Sequence, residues 1–124
     1  MGRRVIAELP KGDDLVLFSE DAGYFYYGDR AVDKELVAAV RVLINGSPIA
    51  AATSLRLARQ AAEHPTRFDD RPEGIARDRW DVAIESVTGL TLVECGAIRE
   101  RVSQELARAI FDAIKGDIER RNAA

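Results

Sequence analysis

The sequence predicts an α+β fold: a short N-terminal antiparallel β-meander packed on several helices, with a long amphipathic helix at the C-terminal end. Three observations lead there. Across residues 4–27, short β-prone runs alternate with turn-forming clusters. From Asp33 onward the apolar spacing becomes helical. Across residues 97–121, Ile98, Val102, Leu106, Ile110, Ile114 and Ile118 recur at every fourth position, flanked by Ala109, Phe111 and Ala113. A helix turns about 100° per residue, so each four-residue step drifts by roughly 40° and the whole row winds about 200° round the cylinder. Such a helix expects a wrap of other elements or a second copy of the chain.

In order, residues 4–8 form the first strand, and Pro10-Lys11-Gly12-Asp13-Asp14 is a turn cluster. Residues 15–18 are apolar on both faces, which places that strand centrally in its sheet. Ser19 to Gly23 breaks it, and Tyr24-Phe25-Tyr26-Tyr27 supplies a third strand that ends at Gly28-Asp29. Three strands alone are marginal, so the meander needs helices to pack on. Leu17-Phe18 followed by Gly23-Tyr24-Phe25-Tyr26-Tyr27-Gly28-Asp29 resembles the Gly-Asp-Phe-Tyr-Glu stretch of MutS mismatch-recognition domains, with Tyr27 where that family has glutamate. The resemblance stops there; it implies a β-hairpin and carries no activity.

Asp33 reads as an N-cap, with Leu36, Val37, Val40, Leu43 and Ile44 on one helical face and Gly46 as the stop. Ser47-Pro48 then reads as N-cap and first helical residue of a second helix running to residue 63. The competing reading is a hairpin, since residues 40–44 are rich in β-branched side chains and Asn45-Gly46 is a strong two-residue turn signal. The two helix-start signals favour the helices. Residues 64–73, polar and with two prolines, read as a loop. Ala76, Trp80, Ala83, Ile84 and Val87 fit a helix over 73–88, against an alternative hairpin of 82–87 with 90–94. Thr91-Leu92-Val93-Glu94 resembles a capping box, or else residues 90–95 are a strand ending at Gly96.

At 124 residues, 47% hydrophobic and 31% charged, the chain has the composition of one ordered domain. No apolar run approaches membrane-spanning length and no signal core follows Met1-Gly2-Arg3-Arg4, which predicts a cytoplasmic protein without membrane association. A net charge of −3 disfavours wholesale wrapping of nucleic acid. Cys95 is the only cysteine, so no intrachain disulfide forms. Lys11, Lys34 and Lys115 are the only lysines among eighteen basic residues, a bias expected of a GC-rich bacterial genome.

These observations predict a small protein-interaction or regulatory module, not catalytic, homodimeric, with a protein partner and no cofactor or metal. Ile98, Val102, Leu106, Ile110, Phe111 and Ile114 are its interface candidates. The alternative is a DNA-binding regulator in which the 33–63 helix pair acts as a helix-turn-helix presenting Ser47, Thr53, Arg56 and Arg59. Nucleic acid is the less favoured partner, because the aromatics of residues 18–27 are flanked by Asp21 and Asp29. A metal-dependent nuclease built on Glu85, Glu94, Asp69 and Asp70 is weaker still. His64 and Cys95 show no signature of a nucleophile and its base.

Overall fold

Two four-stranded antiparallel sheets and one long helix make up the described residues of a computed structural model, which are 2–44, 47–57, 79–97 and 100–123. The first sheet is a meander of β1 (Arg4–Lys11), β2 (Asp14–Glu20), β3 (Tyr24–Tyr27) and β4 (Arg30–Asp33). β2 is central in it, as its apolar run predicts. Its inner face contributes Ala7, Leu9, Phe18, Phe25 and Val32 to the core, with the Phe18 and Phe25 rings stacked at 5.9 Å.

The expectation of several helices is corrected: α1 (Arg101–Ala123) is the one α-helix among the described residues. β5 (Val37–Ile44) and β6 (Ser47–Thr53) occupy the stretch read as a helix pair, and β7 (Arg79–Ser86) and β8 (Gly89–Ala97) form the hairpin that competed with a 73–88 helix. The sheet order is β6-β5-β7-β8. Two helix-start signals therefore have other uses. Asp33 does cap, accepting from the Glu35 amide at 2.9 Å, but only a single 3₁₀ turn over Lys34–Leu36. Pro48 sits in an edge strand opposite Leu43, where the register slips, and a strand tolerates a missing N–H at such a place.

The second sheet turns Val40, Val42, Trp80, Val82 and Ile84 inward, joined by Val93 and Cys95 from β8. α1 lies across this face, touching all four of its strands and also β1. Ala107, Ile110, Phe111, Ile114 and Ile118 complete the main core cluster that the two sheets and the helix share. The buried stripe keeps the every-fourth-residue row at Ile110, Ile114 and Ile118 but departs from it toward the start of the helix. It follows the 3.6-residue period through Ser103, Ala107, Ile110, Ile114 and Asp117–Ile118. Val102 lies about 80° round the helix from Ile110, on the side away from Phe111, and points to water. The helix stripe is thus covered by the chain's own sheets. Among the described residues, no helix is long and apolar enough to cross a membrane.

The approach of α1 to β8 depends on Gly96. Its φ is +119°, and a Cβ there would stand 2.5 Å from the Oγ of buried Ser103. Gly96→Ala should destabilise the fold by about 1–3 kcal/mol, combining backbone strain with a clash. Adding Ser103→Ala, which removes the Oγ, should recover part of that loss and leave the strain. Chemical denaturation of the two variants checks this; a single variant as stable as the parent would show that the junction is not tight.

Candidate interaction surface

Register decides which side chains of the first sheet face outward. Val5 pairs with Ser19, Leu17 with Glu8 and Leu15 with Pro10, and these six positions share the face opposite the core. Ser19 pairs in turn with Tyr26. Val5, Leu15 and Leu17 are 50%, 61% and 43% exposed, and Tyr24 on β3 is 42% exposed. The aliphatic residues line a shallow depression of about 380 Å³ with Arg3, Ser19 and Asp29 at its border.

The rim of this face is well ordered. Asp21 accepts from the backbone amides of Gly23 and Tyr24 at 3.0 and 2.9 Å, which sets the β2–β3 turn, and from the Tyr26 hydroxyl at 2.5 Å. The Tyr26 bond, with help from the Gly23 amide, holds the Asp21 carboxyl below its usual range; the same bond raises the Tyr26 phenol. The Arg3 guanidinium stacks over the Tyr26 ring at 3.6 Å. The surface is therefore an aliphatic centre bordered by an aromatic and charged edge.

The other charged groups are tied into the fold. Lys34, buried, donates to Glu20 at 2.8 Å and sits 4.8 Å from the centre of the Phe25 ring, while Arg4 bonds Glu20 from outside. Burial alone would raise the Glu20 carboxyl, but the Lys34 and Arg4 hydrogen bonds outweigh it and hold the group below 4.5. On the outer face of the second sheet Arg41 bonds Glu85, and Arg79 lies 3.4 Å from Glu94 and 3.9 Å from Asp81. The β7–β8 register sets Glu94 opposite Asp81 and Glu85 opposite Leu90, so the two glutamates do not converge. No group of three or more potential metal ligands occurs among the described residues; Asp69, Asp70 and His64 lie outside them.

Several residues singled out from the sequence fall elsewhere than expected. Ser47 and Thr53 belong to strand β6 instead of a recognition helix, and Arg56 donates to the Glu35 carbonyl. Arg59 lies outside the described residues; over 37–44 and 47–53, where the two helices were expected, the described residues form strands. Among the helix residues taken as interface, Ile110, Phe111 and Ile114 are buried in the core, Leu106 is half-buried against it and Val102 is exposed; Ile98 is outside the described residues. Cys95 is buried, and that burial, with the Asp81 charge adding to it, pushes its thiol up to about 12. The outward Leu15 and Leu17 were missed as surface residues. An apolar run looks the same whether its second face is covered or open.

No family model, no curated protein and no solved structure matches the chain.

Two outcomes follow from these environments. Glu20, depressed below its ordinary 4.5, contributes stability that is complete above that value and is lost as pH falls through the folded value. The melting temperature of Glu20→Gln should therefore fall furthest below the parent at neutral pH, and the gap should close in acid; a gap flat with pH would deny the carboxylate its role. Cys95 should resist a thiol reagent at neutral pH until denaturant unfolds the chain, and rapid labelling of the folded protein would contradict its burial.

Proposed function

We propose that the chain is a small, non-catalytic interaction module that works as a homodimer, with the open face of its first sheet as the contact surface. The observation that supports this is the group of three exposed aliphatic side chains, Val5, Leu15 and Leu17, beside Tyr24 on one flat face. A sheet face that stays apolar in water marks a contact site more often than a chance surface. Isologous packing of two such faces sets each aliphatic centre on its twin and leaves the Arg3–Tyr26 edge at the periphery. Two of the sheet edges oppose the alternative of strand addition, because β1 carries Pro10 and β6 carries Pro48.

Magnitudes set the expected strength. Covering the remaining exposed part of three aliphatic side chains returns on the order of 3 kcal/mol per protomer. Association costs roughly 4–15 kcal/mol in lost freedom, which the two aliphatic centres cover barely if at all, so Tyr24 and the rim must contribute and the contact is a dissociable dimer rather than an obligate one. A dimer of that strength dissociates on dilution, which suits a regulatory contact.

Light scattering coupled to sizing should return twice the 13.7 kDa of one chain at tens of micromolar and fall toward one on dilution. Leu17→Lys should yield a monomer with an unchanged melting temperature, since the position is open in the single chain. Val102→Lys, on the exposed side of α1, should leave assembly intact. A parent protein that is monomeric at these concentrations, or a dimer broken only by the Val102 variant, defeats the reading.

A further inference from the structure

The open face of the first sheet carries its charges asymmetrically, and the register fixes where they stand. Arg3 precedes β1, whose Arg4 pairs with Glu20 at one end of β2. Asp29 follows Gly28, whose amide donates to the Leu17 carbonyl at 3.0 Å, which places it toward the other end of β2 and two strands from Arg3. About five residues along β2 and two strand spacings put the two backbones roughly 15–20 Å apart. Both residues line the depression of about 380 Å³ that Val5, Leu15 and Leu17 fill.

Neither charge is spent inside the chain. Asp29 is exposed and has no hydrogen bond or ion pair among the described residues. Arg3 stacks on the Tyr26 ring at 3.6 Å, and the acid bonded to that ring's hydroxyl, Asp21, already accepts from two backbone amides. Arg4 and Lys34, by contrast, are committed to Glu20. Glu8, a second acid on this face, stands opposite Leu17 on β1, the strand that Arg3 leads into.

An isologous interface sets residue i on residue j of the twin, and j on i. A patch with one cation and one anion on opposite sides of its apolar centre is therefore its own complement, whereas like charges there would repel their copies. We propose that this pair orients the homodimer: Arg3 of each protomer meets Asp29 of the partner subunit across a two-fold axis over Leu17, giving two identical ion pairs. The inference rests on the dimer proposed above and adds what selects a second copy over any other apolar surface. Rim charges act on encounter and orientation more than on affinity, and they are screened by salt. Glu8 falls outside the relation, because the axis that exchanges Arg3 with Asp29 sets it near the middle of the twin's β1.

Analytical ultracentrifugation of the full chain over a range of concentrations tests this. Arg3→Asp and Asp29→Lys should each raise the dimer dissociation constant about tenfold, the scale of two exposed pairs lost. Mixed in equal amounts, they should return to within about threefold of the parent, because the heterodimer restores both pairs with signs exchanged. Asp29→Asn keeps the turn chemistry and drops the charge, and should weaken the dimer about threefold. Raising salt from about 50 to about 500 mM should weaken the parent and leave the Asp29→Asn dimer nearly unchanged. Glu8→Lys shifts the net charge as Asp29→Lys does, yet mixed with Arg3→Asp it should not restore affinity. All three positions are exposed, and unchanged melting curves confirm intact folds. A dimer that Leu17→Lys breaks but that ignores the Arg3 and Asp29 variants overturns this inference and leaves the dimer standing; equal rescue by Glu8→Lys does the same. A monomeric parent ends both.

Discussion

The structure depends on the seating of one helix. α1 must bury a stripe against the inner face of the second sheet and the flank of the first, and the main core cluster meets it there. A stripe at the true helical period spans a little over 100° and matches a sheet, whereas a row at every fourth residue would spiral past it. The chain resolves this by placing small residues, Ser103 and Ala107, where the spiral would have put Val102 and Leu106. The close approach that small residues permit then requires Gly96 on the facing strand. The far end is tied as well: Asn122 accepts from the Leu55 amide and donates to the Thr53 carbonyl, and Arg121 holds buried Asp117 at 2.8 Å.

How much of this was legible in the sequence follows from how many faces each element covers. Three strands of the meander were readable, because turn clusters punctuate them; the fourth, Arg30–Asp33, is too short and too polar to stand out. The last helix was readable because it has a single apolar side. The second sheet was not. β5 and β7 are buried on both faces: Ala39, Leu43 and Ala83, with Asp81 and Glu85, are inaccessible on the side opposite Val40, Val82 and Ile84. A strand covered twice loses its two-residue period, and Val37-Ala38-Ala39-Val40 then fits a helix as well as a strand. The cap and proline that seemed to decide for helices were each explained locally, by a single 3₁₀ turn and by an edge strand.

The candidate surface was hidden for the converse reason. Residues 15–18 carry no mark that separates a twice-covered strand from one whose second face is left open, and only the register with Glu8, Pro10 and Ser19 tells them apart.

Placing the helix on one sheet divides the remaining work between the two. The second sheet spends both faces on folding, and its outer side holds charges already paired with one another: Arg41 with Glu85, and Arg79 with Glu94 and Asp81. Such pairs are costly to bury and cost more to break, so substitutions there disturb the fold before any contact with a partner. The first sheet has one free face, made of side chains whose exchange leaves the core untouched. A surface that can vary without unfolding its scaffold is where a binding specificity can be held. That separation is the physical reason for proposing recognition at Val5, Leu15 and Leu17 and not at the longer, more apolar, but fully occupied stripe of α1.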